Sequence, residues 1–342
     1  MTETRKKSVL VVGGGSVGAI AALNLHVGGL ASVTVALRSN YHIVNEHGYS
    51  IESCDHGLLK GFRPSIVYKG VPDLVANSLP PYDYIILCTK SIPDLSPTSL
   101  ELISPALPTN NTHTTLVLLQ NGLNIEKPFL DAHPRTVILS GISLIGSAEP
   151  NYGRIVQNEP DRLLIGAFQH PTIDEETAST KAREFVTLYS ASGRNDCKYS
   201  PNVVHDRWRK LVYNACFNPI CAVTGIDSGR IRLADGGLDG LVRPAMNEIV
   251  TAAKAVANVV LEDDVVEKVI ATDPLESWAK PSMLQDLEKG NFIEFENLLG
   301  EPLREGRKAG VPMPTLEVLY QLARVIQWRT KEAKDLVTVS AQ

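Results

Sequence analysis

The stretch KSVLVVGGGSVGAIAALNL, which begins at residue 7, constrains the fold more than any other part of the chain. The apolar run Ser8–Val12 predicts a short buried strand, and Val17–Leu25 carries apolar residues at helical spacing. Three consecutive glycines separate the two, and glycine permits the tight turn that such a junction requires. A strand, a glycine turn and a helix in this order predict the first unit of a doubly wound α/β sheet.

Further apolar runs of strand length follow in the first half of the chain. Val33–Leu37 predicts the second strand. The segments YDYIILCTK, TTLVLLQNG and TVILSGISLIG are apolar almost without interruption, as strands buried on both faces are. GRIVQ and DRLLIGAF predict late strands of the same domain. Buried strands that alternate with helical segments predict a parallel sheet covered by helices on both faces.

After about Tyr199 the pattern changes to long helices without strands. One predicted helix face consists of the apolar residues at positions 242, 246, 249, 253, 256 and 260. A second face, in the last long helix, consists of Val318, Leu322, Val325 and Ile326. We therefore expect an α/β fold in which a Rossmann-type domain over residues 1–199 precedes an all-helical domain over residues 200–342.

Composition excludes several classes of function. The chain has 342 residues and a formal net charge of -5, so nothing in it predicts binding to nucleic acid or to an anionic membrane. No apolar run approaches the roughly 18 residues that span a bilayer. The five cysteines form no C-x-x-C pair, which predicts free thiols rather than disulfides or a metal site. We expect a cytoplasmic protein without a metal.

The glycine turn has the spacing of a nucleotide-binding motif. Gly13 permits the tight turn, Gly15 lets a pyrophosphate approach the backbone, and Gly18 lets the helix pack closely on the strand. The helix start at Ser16 and Val17 offers N–H groups and the positive end of the helix dipole to an anion. These five residues are our candidates for binding the cofactor. A glycine turn that binds no ligand is the alternative.

The residue that ends the second strand distinguishes between the two nicotinamide dinucleotides. NAD-dependent enzymes usually carry a carboxylate there, which accepts hydrogen bonds from the ribose hydroxyls. This chain has Arg38 instead, followed by Ser39. A guanidinium forms paired hydrogen bonds with a 2′-phosphate, so the sequence favours NADP(H). The alternative is that Arg38 is a solvated loop charge.

Two other predicted strands end in polar residues. Lys90 follows the strand in YDYIILCTK, and Asn121 follows the strand in TTLVLLQNG. Ligands of open α/β sheets bind at the carboxyl ends of the strands, which makes both residues candidates for the cofactor site. Position alone leaves the choice open between site residues and turn formers, because Asn-Gly is itself a turn signal.

The segment WRKLVYNACFNPICAVTG places three polar residues on one predicted helix face. Lys210, Asn214 and Asn218 follow one another at intervals of four among apolar neighbours, so the helix should be buried. A buried lysine beside two amides is unfavourable unless these groups bind one another or a ligand. Burial would lower the lysine pKa and make it a better proton donor near neutral pH. The alternative is a lysine that extends to solvent beside two structural asparagines.

A second set of polar candidate residues lies nearer the end of the chain, in KPSMLQDLEKGNFIEFENLLG. Ser282 and Gln285 have the spacing of a capping box, and Gly290 would end that helix. Glu294 follows among apolar residues, and spacing does not decide whether it is exposed or buried.

These residues together give the chain a resemblance to the ketopantoate reductases, also called 2-dehydropantoate 2-reductases. The resemblance extends from GGGSVG through LR, His42 and EHG to CTK and LQNG, then through GRIVQ and LLIG. It continues with W-x-K-L-x-x-N-x-x-x-N-P and SMLQD, followed by the glutamate. The most specific part is the combination of Lys210, Asn214, Asn218, Pro219, Ser282 and Glu294.

The resemblance implies an NADPH-dependent enzyme that reduces a small 2-keto acid, ketopantoate, to the hydroxy acid. It implies that Lys210 is the general acid and that Glu294 binds a substrate hydroxyl or the lysine. The other substrate-binding residues would be Asn121, Asn214, Asn218 and Ser282. Lys90 would contact the ribose or phosphate of the cofactor, and Asn121 also lies on the cofactor side.

The sequence is also compatible with two other functions. One is a related reductase of another 2-keto acid or of an imine, with the same lysine chemistry. The other is a sensor that binds NADP(H) without turnover, against which the intact Lys210 and Glu294 argue. The expected partner is a small molecule, and a homodimer is an open question.

Overall fold

A computed structural model describes residues 5–107 and 112–338. Their strands are β1 (Lys7–Val12), β2 (Ala31–Leu37), β3 (Tyr49–Ser53), β4 (Gly57–Phe62), β5 (Ile66–Lys69), β6 (Tyr84–Leu87), β7 (Thr115–Leu118), β8 (Ile138–Ser143), β9 (Ser147–Asn151), β10 (Arg154–Gln157), β11 (Arg162–Ala167) and β12 (Asp196–Tyr199). Their α-helices are α1 (Ser16–Val27), α2 (Tyr41–His47), α3 (Ser99–Ile103), α4 (Lys127–Ala132), α5 (Glu175–Ser190), α6 (Val203–Asn214), α7 (Phe217–Thr224), α8 (Ser228–Leu233), α9 (Arg243–Ala257), α10 (Val265–Ile270), α11 (Ser282–Glu288), α12 (Glu301–Lys308) and α13 (Pro314–Glu332). A 3₁₀ turn covers Leu275–Ser277, and π-helical turns cover Gly237–Val242 and Glu296–Gly300.

The chain divides into two compact units, called here the sheet unit and the helical unit. The sheet unit comprises Met1–Thr89, Ser96–Gln120 and Ile125–Val203. The helical unit comprises Lys90–Leu95, Asn121–Asn124 and Val204–Gln342. Two short segments that follow β6 and β7 therefore belong to the helical unit, although the surrounding chain belongs to the sheet unit.

The sheet unit is built on an eight-stranded sheet with the order β12-β11-β8-β7-β6-β1-β2-β5. Its neighbouring strands are parallel except for β8 and β11, which run antiparallel. The α/β fold class predicted from the sequence is confirmed. The expectation of a parallel sheet is wrong at this one pairing, because no helix lies between β8 and β11 to carry the chain back for a parallel strand.

Strand β1 explains why the apolar runs are continuous. Val9 and Val11 pack in a core on one face of the sheet, whereas Leu10 and Val12 pack in a second core on the other face. All four side chains are at most 2% exposed. Since successive side chains of a strand point to opposite faces, a strand covered on both faces needs an apolar residue at every position.

GRIVQ does not join the main sheet. Its strand, β10, pairs with β3 and β9 in a separate four-stranded sheet of order β4-β3-β10-β9. DRLLIGAF forms β11 and does enter the large sheet. Strand propensity alone does not choose between two sheets of one unit, because the choice depends on pairing partners that are distant in the chain.

The helical unit has one apolar core, to which α9 contributes as predicted. Met246, Ile249 and Ala253 of this helix are fully buried. Val260, which the sequence pattern assigned to the same face, lies beyond the helix end and is 68% exposed. The left-handed Asn258 ends the helix and turns the chain away before that position is reached.

The predicted core face of α13 is wrong. Val318 is 60% exposed, Leu322 41% and Val325 65%, and Ile326 is only partly buried. The helix buries instead the face formed by Leu316, Leu319, Ala323, Gln327 and Thr330. Both faces carry apolar residues at helical spacing, so periodicity could not select the buried one.

Among the described residues, no helix is both long and apolar enough to cross a membrane. The five cysteines all lie within these residues and are free thiols, with Cys54 exposed and Cys88 partly buried. The other three are buried.

Candidate active site

The glycine turn of the sheet unit lies directly after β1 and leads into α1. Gly13 has φ +99°, a conformation that residues with a side chain rarely adopt. A Cβ on Gly18 would lie 1.9 Å from the carbonyl oxygen of Gly13, so only glycine lets α1 pack this closely on the turn. Both glycines therefore have the structural reasons that the motif predicts.

The middle glycine of the turn has a role that the sequence pattern did not reveal. A Cβ on Gly14 would lie 2.1 Å from the Leu37 side chain and 2.4 Å from the Tyr49 hydroxyl. Its carbonyl oxygen accepts hydrogen bonds from Asn40 Nδ2 at 2.7 Å and from the Tyr49 hydroxyl at 3.1 Å. Asn40 and Tyr49 are buried, and they hold the turn in place from the side of β2 and β3.

Gly15 leaves open space where a phosphate group would have to approach. The nearest atom to a Cβ built on it is Glu149 Oε2, at 4.0 Å. The first N–H groups of α1, at Ser16, Val17 and Gly18, have no carbonyl of an earlier helical turn to pair with. An open glycine beside the N-terminus of a twelve-residue helix fits a pyrophosphate group. The residues of this turn thus fit a dinucleotide.

Arg38 is exposed directly after β2. The strand lies next to β1 in the sheet, on the side away from β6. In dinucleotide-binding sheets this strand end is where the adenosine ribose is recognised. The position fits a contact with a 2′-phosphate, and an exposed side chain also fits the alternative of a solvated charge, so its role stays a prediction.

Lys210 and Asn121 meet in the helical unit. Lys210 lies in α6, one turn before its last residue Asn214, and its Nζ donates a hydrogen bond to Asn121 Oδ1 at 2.7 Å. The following Gly122 has φ +100°, and its carbonyl accepts a hydrogen bond from the buried Arg207 at 2.8 Å. Asn297 binds the same segment through two hydrogen bonds: its Nδ2 donates to the Leu123 carbonyl, and its own carbonyl accepts from the Leu123 N–H. Asn121 is therefore held by its neighbours in the position that contacts the lysine.

Glu294 is the centre of a polar cluster. It is 4% exposed, and one oxygen accepts a hydrogen bond from the backbone N–H of Ser91 at 3.0 Å. The other oxygen lies 3.4 Å from Asn121 Nδ2 and 3.5 Å from Lys90 Nζ. Lys90 also forms an ion pair with Asp286 at 2.7 Å. The structure thus brings together four of the residues predicted from the sequence: Lys90, Asn121, Lys210 and Glu294.

The charges in this cluster shift the pKa values of its lysines in opposite directions. Burial and the charge of Arg207 lower the pKa of Lys210, the carboxylate of Glu294 acts in the opposite direction, and the resulting pKa is about 7. Burial also acts to lower the pKa of Lys90, but the attraction of Glu294 and Asp286 outweighs it and raises this pKa above its usual value. Lys90 therefore stays charged, whereas Lys210 exchanges its proton near neutral pH, as the sequence reasoning expected.

The three polar residues predicted on one helix are divided between two. Lys210 and Asn214 belong to α6, whereas Asn218 belongs to α7. The break falls at Ala215 because Pro219 has no N–H to donate to the Ala215 carbonyl and its ring would clash with that group. The prediction of a single continuous stripe is therefore wrong.

Asn218 forms a second contact group with α11. Its Oδ1 accepts hydrogen bonds from Ser282 Oγ at 3.2 Å and from the N–H of Met283 at 3.0 Å. The predicted capping box is wrong, because Pro281 occupies the cap position and Gln285 donates to the Lys280 carbonyl instead. Ser282 is the first residue of α11, and its hydroxyl donates to Asn218 of α7 instead of capping its own helix.

Asp286 and Ser91 are members of the site that sequence reasoning did not select. Asp286 lies one helical turn after Ser282, and its side chain is only 13% exposed. The spacing of four within SMLQD was a usable signal, because it places the serine and the aspartate on one helix face. Ser91 contributes mainly its backbone N–H, for which the sequence holds no signal. The π-helical turn that begins at Glu296 carries Asn297, and such turns often mark functional sites.

Comparisons with known proteins identify the family. The model described as ketopantoate reductase PanE/ApbA matches residues 9–170, and the model of its C-terminal part matches residues 202–327. The chain belongs to the ketopantoate reductase family. This confirms the resemblance drawn from the motifs, and with it the class of enzyme, an NAD(P)-dependent reductase of 2-keto acids.

Several individual proteins match this chain over almost their whole length. An uncharacterized protein of Saccharomyces cerevisiae is 36% identical, with 96% of each chain covered. The crystal structure of 2-dehydropantoate 2-reductase from Methylococcus capsulatus is 30% identical with a TM-score of 0.76, covering 94% of this chain and 97% of that one. A structure of D-mandelate dehydrogenase with NADH and anilino(oxo)acetate has a TM-score of 0.78 at 22% identity, over 95% of this chain and 99% of that one, which shows a shared fold.

Proposed function

We propose that this protein reduces 2-dehydropantoate to pantoate with NADPH. The observation that carries the proposal is the contact between Lys210 and Asn121 beside the buried Glu294. A lysine whose pKa lies at about 7 is a proton donor matched to neutral pH. The name of the Methylococcus capsulatus relative, 2-dehydropantoate 2-reductase, supports the choice of substrate within the family.

The protein would contribute a proton and an oriented substrate. When bound, the nicotinamide supplies the hydride that the keto carbon accepts. Lys210, as an ammonium group, would donate a hydrogen bond to the keto oxygen and then the proton that completes the hydroxyl group. Asn121 holds the Lys210 ammonium by its Oδ1, so the lysine is oriented before the substrate arrives.

The remaining polar residues of the helical unit would hold the substrate. Asn218 and Ser282 can bind its carboxylate or hydroxyl groups once a ligand competes for their mutual hydrogen bond. Asn214 lies one turn after Lys210 on α6 and would bind another polar group of the same substrate. Glu294 would accept a hydrogen bond from a substrate hydroxyl, in addition to its contacts with Asn121 and Lys90.

The cofactor would bind to the sheet unit. Gly13, Gly15 and Gly18, with the N–H groups of Ser16 and Val17, would hold the pyrophosphate. The 2′-phosphate that distinguishes NADPH from NADH would contact Arg38. Lys90 would contact the ribose or phosphate of the cofactor, and Asn121 would also contact the cofactor, in addition to their partners in the helical unit.

NADPH should bind at least about tenfold more tightly than NADH, because a guanidinium gains charge-assisted hydrogen bonds only from the 2′-phosphate. Replacing the arginine, Arg38→Asp, should remove most of this preference by repelling the phosphate and leaving the ribose hydroxyls an acceptor. Fluorescence titration of both cofactors with both proteins measures the effect. Equal affinities in the unmodified protein would show that Arg38 is a solvated loop charge.

Reduction should slow as the pH rises above about 7, the value to which burial lowers the pKa of Lys210. The general acid must be protonated to donate, and its protonated fraction falls about tenfold for each pH unit above its pKa. The reverse oxidation needs the neutral amine and should therefore rise over the same range. The kcat/KM of each direction between pH 5.5 and about 9 tests the assignment. A reduction rate that stays constant to pH 9 would contradict it.

A substrate screen tests the proposed function directly. The oxidation of NADPH would be followed by absorbance with 2-dehydropantoate, phenylglyoxylate, pyruvate and a cyclic imine. The proposal expects the highest kcat/KM for 2-dehydropantoate. A preference for another compound would establish the related reductase instead, and tight NADPH binding without any turnover would establish the sensor.

Three predictions from the sequence accompany this proposal. The first two are the division into domains at residues 199 and 200 and the cytoplasmic location, and the third, which the sequence leaves open, is a homodimer. Light scattering at working concentration would measure the assembly, and fractionation of the source cells would measure the location.

A further inference from the structure

Gln327 is a buried amide in the middle of the face that α13 turns towards the core. It is 2% exposed, and its neighbour one turn earlier on this face is Ala323. Its Oε1 accepts a hydrogen bond from the backbone N–H of Ile293 at 3.1 Å. Its Nε2 lies 3.3 Å from each carboxylate oxygen of Asp94. Because a buried amide is unfavourable without partners, these contacts explain why glutamine is tolerated on an apolar helix face.

Both partners of Gln327 belong to segments that carry a residue of the polar cluster. Ile293 directly precedes Glu294. Asp94 lies in the segment Lys90–Leu95, which begins with the lysine that pairs with Glu294 and Asp286. Gln327 therefore joins the two segments from which Lys90 and Glu294 project.

The segment Lys90–Leu95 is fastened at both ends. At its far end, Lys331 of α13 forms an ion pair with the Asp94 carboxylate at 2.8 Å and donates to the Asp94 carbonyl at 3.2 Å. At its near end, the Ser91 hydroxyl donates to Asn297 Oδ1 at 2.8 Å, and the Ser91 N–H donates to Glu294. The ion pair is about four-fifths buried on both sides, which makes it less sensitive to salt than a surface pair.

We propose that Gln327, Asp94 and Lys331 are positioning residues that hold the side chains of Lys90 and Glu294 in their places beside Lys210. The inference rests on the proposed function, because the role of Lys210 as proton donor gives this arrangement its purpose. The three residues act through the backbone at Ile293 and through the segment Lys90–Leu95. Their loss should displace the Glu294 carboxylate without removing any group that binds the substrate or the cofactor.

The pKa of Lys210 reports this displacement. Charged groups that face Lys210 include Arg207 on α6, Glu294 and Lys90, and those that face Glu294 include Lys90, Asp286 and Lys210. Glu294 raises the pKa of Lys210 by more than Lys90 lowers it. If both groups move away together, the pKa of Lys210 falls. A change that only loosened the core would reduce stability without moving this pKa.

The variant Gln327→Met tests the proposal, since it keeps a similar side-chain volume but removes both hydrogen bonds. We expect kcat/KM for reduction to fall by about tenfold to 100-fold, the range caused by misplacing catalytic groups by about an ångström. The pH above which kcat/KM falls should be lower for this variant than for the unmodified protein. Gln321→Met, on the exposed side of the same helix, is the matched control and should change neither.

A second readout separates this inference from the proposed function. Trace acetylation with acetic anhydride at a series of pH values, quantified by mass spectrometry, gives the titration midpoint of Lys210 without any substrate. Gln327→Met should lower this midpoint even if 2-dehydropantoate proves not to be the substrate. If the variant does not fold, Lys331→Met and Asp94→Asn should lower the midpoint in the same direction. An unchanged or raised midpoint in the folded variants would overturn the proposal.

Discussion

The variant Lys210→Ala should lose about 100-fold or more of its turnover of 2-dehydropantoate, the usual contribution of a positioned general acid. The methyl group of alanine cannot donate the proton, and Asn121 would lose the 2.7 Å hydrogen bond that it accepts from the Lys210 ammonium group. Affinity for NADPH should stay near normal, because the glycine turn that would hold the pyrophosphate is built by β1 and α1 and does not include Lys210. Steady-state kinetics and a fluorescence titration measure the two quantities separately.

The neighbouring arginine provides the control for this prediction. Arg209 lies on the same helical turn, is 41% exposed and pairs with Glu262 at 3.4 Å. Arg209→Ala should therefore keep its turnover within about twofold, since exposed ion pairs contribute little. The general-acid assignment fails if Lys210→Ala and Arg209→Ala have the same rates as the unmodified protein. A parallel loss of NADPH binding in Lys210→Ala would show that the lysine serves the cofactor instead.

The variant Gly15→Val should bind NADPH too weakly to measure at micromolar cofactor while remaining folded. A Cβ at this position meets nothing closer than Glu149 Oε2 at 4.0 Å, and Gly15 has φ -67°, so the backbone accepts a side chain. The isopropyl group would occupy the space in which the pyrophosphate approaches the first N–H groups of α1. Calorimetric titration and the Tm of the free variant test both parts.

Two other glycines make this prediction specific. Gly240 also has open space around its Cβ position, so Gly240→Val should keep both its stability and its NADPH affinity. Gly18→Ala should be strongly destabilised or fail to fold, because its Cβ would lie 1.9 Å from the Gly13 carbonyl oxygen. Normal NADPH binding by a soluble Gly15→Val protein would show that the opening stretch is only a structural turn.

The sequence determined the class of fold because the signals for it are local. A strand buried on both faces must be apolar throughout, and β1, β6 and β7 are recognisable for this reason. The glycine spacing followed from steric limits at Gly13 and Gly18, which act over only a few residues. The resemblance to the ketopantoate reductase family rested on residue types at fixed spacings, such as Lys210 and Asn214, and the comparisons confirmed it.

The tertiary structure alone decided which predicted residues meet. Lys90 and Glu294 are 204 positions apart, and no periodicity in the chain predicts the 3.5 Å between their side chains. The same holds for α13, on which two apolar faces compete and only packing against the rest of the helical unit buries that of Leu319 rather than that of Leu322. The local spacing of apolar residues shows which faces a helix or strand can bury. Contacts between distant parts of the chain decide which of these faces is buried and against which partner.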